Sequence, residues 1–426
     1  MKIKVPQIHG NIQLIAFLSL VFLELFIIKN FSDLPITLSN WEPKARELLD
    51  FKVPSDNFYG PGSAVMLLPF LWSGPDYFIP ILLYALMGFY FYFKLAEKIE
   101  NKKYRLFALA LPLLNVYLFW LFITSQDTVF EFVLFMSFAY FCSRNNWLRA
   151  SLFGILLAET RSGYWAVMMG GVATLYLVCK VRNSKFNKKS FLIFPAYILI
   201  SMFNFTSYGS TSPALEGGMT AYFSYAKHHY LSLPKFDMDV FLSGPNGDFS
   251  NYNLNRDLAK AKTEAEVDRV YYRYAFDSLI KNPKEAVLGW MQKFESHLIS
   301  IQKVPNLPGR YVYDSKTNSI IIKEERLSWP LIAGYLSYEI YRFILILIGL
   351  ISIGLFLSLK NIYKNIDLKS LDQIFIFWIF SIVPALLFYS ETRFKIVQEI
   401  ALIPLILLIW SLHANSKSKL SLPRQK

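Results

Sequence analysis

Apolar blocks of roughly 17–25 residues recur along this chain, each long enough to cross a ~30 Å hydrocarbon core as a helix. That pattern leaves few folds open. A backbone in lipid must satisfy its own hydrogen bonds, and a helix does so within one segment. The blocks predict spans at about 12–29, 77–95, 105–123, 128–142, 147–160, 163–179, 190–206, 333–358, 371–389 and 395–412. The fifth is short and reads as re-entrant or strongly tilted. The first apolar block, Ile12 to Ile28, lacks a small-x-small cleavage site and reads as a retained span rather than a signal peptide. Only 18% of residues are charged and 54% are hydrophobic, whereas soluble domains carry ~25% charged residues. The expected fold class is all-α: a polytopic membrane protein of about ten transmembrane helices, with extracytoplasmic amphipathic helices and a small external loop domain. Residues 1–206 form an N-terminal transmembrane module with a first external loop at 30–76. Residues 207–332 form the extracytoplasmic domain, 333–414 the last spans and 415–426 a basic cytoplasmic tail.

The formal net charge is +13, but the positives alternate in location instead of forming one patch. With the N-terminus in the cytoplasm, the inside loops carry Lys94, Lys98, Lys102, Lys103 and Arg105; Arg144 and Arg149; Lys180, Arg182, Lys185, Lys188 and Lys189; and Lys360, Lys364 and Lys369. The short outside loops carry far fewer. This positive-inside pattern recurs over every hairpin and argues for membrane topology rather than a nucleic-acid partner. Cys142 and Cys179 have neither metal-ligand spacing nor the setting of a disulfide. No internal repeat is visible.

The stretch Thr37–Trp72 organises the outer face. Trp41, Ala45, Leu48 and Leu49 share one face of a short amphipathic helix, and Glu42, Arg46 and Asp50 share another. Tyr59-Gly60-Pro61-Gly62 then makes a turn that cannot continue a helix, and an apolar run leads back into the membrane. The same topology places Ser125-Gln126-Asp127, Glu159-Thr160-Arg161 and Glu391-Thr392-Arg393 at the outer edge. A charge within a span costs ~2.5–3.5 kcal/mol on insertion scales, so several such placements on one face point to a shared aqueous site.

In the long loop, Thr263-Glu264-Ala265-Glu266 has the form of a capping box, or of a break in a helix that starts near Asn255. Asn282-Pro283 stops one helix and starts another. Tyr311-Val312-Tyr313 and Ile320-Ile321-Ile322 flank an Asp-Ser-Lys-Thr-Asn turn, which predicts a hairpin. His228 and His229 are adjacent and diverge by ~100° on a helix, with no third ligand in sight.

A site reached from both lipid and water suits transfer of a group from a membrane-anchored donor. A carboxylate must take the acceptor's proton, and cations must hold a leaving phosphate as its charge develops. Candidate bases are Asp127, Asp33 and Glu42, ahead of Asp50 and Asp56. Candidate phosphate partners are Arg161, Arg393, Lys395 and Lys52. Tyr59 and Trp41 are placed to stack on a sugar face.

This layout resembles the GT-C superfamily of integral-membrane glycosyltransferases, most closely the branch with protein O-mannosyltransferases and aminoarabinose–lipid A transferases. The similarity lies in Trp41…Ala45-Arg46-Glu47-Leu48-Leu49 followed by Tyr59-Gly60-Pro61, in Asp127 after the third span, in Arg161 after the short fifth, and in Arg393-Phe394-Lys395 opening the last. The segment Tyr272 to Phe294, with its central Asn-Pro, resembles that family's large loop. The motifs are short, and their order and shared side carry the likeness. The family's acidic residue in the first loop corresponds to Thr37 here, with Asp33 one turn earlier. Gly60 stands where the family has a basic residue, and Val397 where it often has proline. The resemblance implies a polyprenyl-phosphate sugar donor, a lipid, glycan or protein acceptor, and inversion at the sugar. It also implies residence in the bacterial inner (plasma) membrane. Metal dependence varies across the family, so a divalent metal stays open and no other cofactor is implied. The rival readings are an O-antigen polymerase or ligase, a lipid-linked sugar transporter or flippase, and, because of Thr37, a non-catalytic relative that only binds lipid carriers.

Overall fold

The computed structural model describes residues 6–31, 41–55, 60–73, 77–124, 127–181, 183–213, 215, 217–225, 252–298, 312–314, 319–321, 329–358, 376–384 and 393–420. These are almost wholly helical. In chain order they form α1 (Pro6–Phe31), α2 (Glu42–Leu49), α3 (Gly62–Leu67) running into a 3₁₀ turn (Leu68–Ser73), α4 (Phe78–Ala96), α5 (Lys102–Leu113), α6 (Val116–Thr124), α7 (Thr128–Ser143), α8 (Trp147–Thr160) and α9 (Gly163–Val181). There follow α10 (Ile193–Tyr208), α11 (Gly217–Tyr225), α12 (Tyr252–Lys260), α13 (Glu264–Lys281), α14 (Pro283–Leu298), a two-stranded β1 (Val312–Asp314) and β2 (Ser319–Ile321), and α15 (Trp329–Ser358). The last two are α16 (376–384) and α17 (Arg393–Leu420).

Among the described residues, five helical stretches are long and apolar enough to cross a membrane: Gly10–Asn30, Phe78–Ala96, Gly163–Val181, Lys188–Tyr208 and Ile396–Ala414. The pair α5–α6 makes a sixth if taken together. It falls where a span is expected at 105–123, with a bend of 47° between Leu113 and Val116. Pro112 removes one backbone donor from the last turn, and Asn115 then caps α6 by accepting from the Leu118 N–H at 3.2 Å. Helices α7 and α8, expected as spans at 128–142 and 147–160, have 16 and 14 residues, about 24 and 21 Å at 1.5 Å per residue.

Helix α7 is the hub. Nearly every side chain it carries is buried, and it packs on α4, α6, α8 and α17. The core is aromatic. Phe89 of α4 stacks on Phe119 of α6 and tilts against Phe132 of α7, and Phe122 joins them. Outward-facing Ile79, Leu83, Leu336, Ile340 and Phe343 are exposed, as lipid-facing positions are.

Hydrogen bonds sort the helix ends into two sets. At one end, Lys98 donates to the Ser143 carbonyl (2.7 Å), Ser151 to that of Lys189 (3.2 Å), and Asn187 to that of Asn145 (3.4 Å). The Asn101 N–H donates to Ser411 there as well. At the other end, the Tyr208 hydroxyl donates to the Pro54 carbonyl (2.9 Å), and Arg161 meets Asp127. Among the described residues, the basic loops around Lys98, Arg144 and Lys189 gather at the first end, and Pro54, Asp127 and Arg161 at the second.

The helices between residues 217 and 298 follow the local rules. Thr263 caps α13 by accepting from the Glu266 N–H, and Glu266 reaches back to the Lys262 N–H at 2.6 Å. This box also breaks the helix between α12 and α13. Asn282 ends α13, and Pro283 opens α14. The expected hairpin pairs Val312 with Ile321 and Tyr313 with Ile320. A small core of Ala221, Tyr222, Leu254, Tyr271 and Ala275 holds α11, α12 and α13 together.

Candidate functional site

Asp127 precedes the first turn of α7, and Arg161 closes α8. Their chain positions are 34 residues apart, yet Arg161 Nη2 lies 3.0 Å from Asp127 Oδ2. The same guanidinium reaches inward: Nε is 2.9 Å from Glu131 Oε2. Glu131 sits four residues after Asp127, one helical turn deeper, and is fully buried. Its other oxygen accepts from the Tyr164 hydroxyl at 2.5 Å and from Gln398 Nε2 at 3.3 Å. Gln398 also contacts the Tyr164 hydroxyl. Four helices, α7, α8, α9 and α17, thus converge on one polar cluster. It holds two carboxylates and one guanidinium, a formal charge of −1 with both acids ionised.

The first loop packs on the end of α8, next to Arg161. Gly60 and Gly62 flank Pro61, and a Cβ on either would collide with backbone atoms of Glu159 or Thr160 at the end of α8. Only glycine permits so close an approach. Within the same segment, Glu159 accepts from the Trp165 indole at 3.0 Å. The amphipathic helix α2 packs on α3 and the 3₁₀ turn, with Trp41 and Ala45 buried.

A second buried cluster lies on the neighbouring face of α17. Glu399 Oε1 is 3.5 Å from Arg342 Nη2 of α15, and Tyr338 is 3.5 Å from Glu399 Oε2. Tyr338 in turn packs on Tyr117 of α6, with ring centroids 5.2 Å apart. Arg342 is 4% exposed. An ion pair this deep is stable only as a pair, because removing either partner leaves an uncompensated charge.

No family model, no curated protein and no solved structure matches the chain. The site's chemistry therefore rests on its own geometry. Among the described residues, no three His, Cys, Asp or Glu side chains are grouped to hold a metal ion.

The residues singled out from sequence fare differently. Asp127 and Arg161 are brought together. Arg393 opens α17, five residues before Gln398, or about 7.5 Å along the axis; its side chain and that of Lys395 are not among those described. Glu42 pairs with Arg46 at 2.7 Å, and a hydrogen bond from Tyr77, with a second from Arg46, holds its carboxyl below the usual range. Lys52 forms an exposed pair with Asp50 at 3.2 Å. Asp33, Thr37, Asp56, Tyr59, His228 and His229 lie outside the described residues. Glu131, Tyr164, Gln398 and Arg342 were not foreseen.

Proposed function

We propose that this protein is a polyprenyl-phosphate-sugar-dependent glycosyltransferase of the GT-C type, acting at the extracytoplasmic membrane face and passing the sugar to a lipid, glycan or protein acceptor. The observation that carries the reading is the contact between Asp127 and Arg161, at the end of α8 against which Gly60 and Gly62 pack. An acid at the membrane edge, partly open to water, is what an acceptor hydroxyl needs.

In this reading Asp127 takes the acceptor's proton as the acceptor oxygen attacks the anomeric carbon, with Asp33 as the second candidate base. The bond from that carbon to the phosphate oxygen breaks, and the sugar inverts. The leaving polyprenyl phosphate is held by Arg393 and Lys395 at the start of α17. Arg161 has a narrower role than a phosphate ligand. Two carboxylates already engage its guanidinium, so it orients Asp127. A cluster with two acids and one base repels a phosphate, and the donor's charge belongs with the other cations.

The buried Arg342–Glu399 pair and the bend at Asn115 favour a second reading, a lipid-linked sugar flippase, because intramembrane charges and broken helices mark pathways. One experiment separates the two. The purified protein in lipid nanodiscs and in liposomes is given radiolabelled polyprenyl-phosphate sugars and candidate acceptors. Transfer that falls at least 100-fold in Asp127→Asn, with donor binding retained, supports the transferase. Lipid movement without transfer, or full transfer by Asp127→Asn, overturns it.

A further inference from the structure

The external domain leaves a large apolar face uncovered. Phe276 and Ile280 lie one turn apart on α13, and Val287, Leu288 and Met291 follow on α14. All five are roughly half exposed or more, and Ile280 reaches 75%. They sit on either side of the Asn282-Pro283 junction, on two consecutive helices. Domains in water do not keep so many large apolar side chains together without a partner. The internal face of α13 is already used: Tyr271 and Ala275 pack into the core with Tyr222 and Leu254. Arg273, at helical spacing from Phe276 and Ile280, is engaged by Asp257 of α12 at 2.6 Å, and the Tyr274 hydroxyl also donates to Asp257.

We propose that this junction lies in the headgroup and upper acyl region of the outer leaflet, as an interfacial anchor for the external domain. Three observations select the bilayer as occupant. First, α10 is one of the helices long and apolar enough to cross a membrane. Its last residue, Tyr208, is joined to the first residue of α11, Gly217, by a link that spans at most about 30 Å. The domain is therefore tethered within reach of the surface. Second, Lys281 and Lys284 are exposed at the junction itself, between the apolar residues of α13 and those of α14. With exposed Asp277 one turn from Lys281, the junction keeps a small excess of positive charge, which suits an anionic headgroup layer. Third, the apolar residues lie on two consecutive helices, so whatever covers them must reach more than one helix face. A leaflet does this better than a single docked helix. This inference does not depend on the transferase reading.

The test uses the full chain in nanodiscs of phosphatidylcholine with phosphatidylglycerol. A nitroxide is attached at Ile280→Cys, at Met291→Cys and, as a polar-side control, at Lys260→Cys. Cys179→Ser removes the more accessible native thiol, and Cys142 is buried. Collision with oxygen, which partitions into lipid, is compared with collision with a water-soluble nickel chelate. The expected result is an oxygen-to-nickel ratio several-fold higher at 280 and 291 than at 260. Equal, water-like ratios at all three positions overturn the proposal. So does strong dipolar coupling between labels on separate chains, which would make the face a contact between copies.

Discussion

Replacing Arg161 with methionine tests how the polar cluster is held together. Methionine matches much of the arginine stem and removes the charge. Two carboxylates then lose a partner, and they differ in depth. Asp127 has a side chain about one-fifth exposed, whereas Glu131 is fully buried. Water can replace the guanidinium at Asp127, which limits that loss to about 1 kcal/mol. Glu131 has no such recourse. Breaking a buried pair by removing one partner costs about 3–5 kcal/mol. The hydrogen bonds from Tyr164 and Gln398 offset part of this, so about 3 kcal/mol is expected for the single variant. The second variant, Glu131→Gln, keeps an acceptor for Tyr164 and removes the charge. In the double variant no buried charge is stranded, and the two losses should fall short of their sum by about 2 kcal/mol. The assay is reversible unfolding by added dodecyl sulfate in bicelles, read by tryptophan fluorescence and circular dichroism. A single-variant loss below about 0.5 kcal/mol, or strictly additive variants, would refute the reasoning, since neither is compatible with a desolvated pair.

Gly60→Ala and Gly62→Ala should each undock the first loop from α8, lowering stability by about 1–3 kcal/mol and reducing transfer; thermal unfolding at wild-type temperature would contradict the close packing. Burial pushes the Asp268 carboxyl up to about 6, against a hydrogen bond from the Gly218 N–H that lowers it. The folded domain therefore holds that proton more tightly than the unfolded chain, and stability is lost as pH rises from about 4 to beyond 6, by about 2 kcal/mol once partial solvent screening is allowed for. Asp268→Asn keeps the acceptor for Gly218 and should flatten this dependence, as read by amide exchange along α13; an unchanged pH profile would count against it. Thr263→Ala removes the cap of α13 and should cost about 1 kcal/mol, with faster exchange confined to its first turn.

The apolar blocks and the capping signals were legible because each is local. Thr263, Asn282 and Pro283 act on neighbouring backbone, and the chain states their roles directly. The meeting of Asp127 with Arg161 was legible by a longer route: successive spans return to alternate ends, so loop charges alone place both residues on one side. Glu131, Tyr164 and Gln398 escaped notice because they lie within runs that read as lipid-facing. The signal was present, however. Glu131 is the only acid in α7 and stands one turn from Asp127, and Tyr164 is three residues beyond Arg161. Intramembrane polar residues at helical spacing from an edge charge deserve the reading first given only to the edge. The bend between Leu113 and Val116 was written in Pro112 and Asn115, two residues that a hydropathy average conceals.

Gln398 and Glu399 are neighbours on α17 and point about 100° apart, one into the Glu131 cluster and the other toward Arg342. A smooth apolar rod in lipid has little to fix its azimuth. Two polar pegs set at that angle leave α17 a single rotational setting, because turning it to tighten one peg withdraws the other. Substitution at either position is thus felt at both, and the helix works as a key cut on two sides.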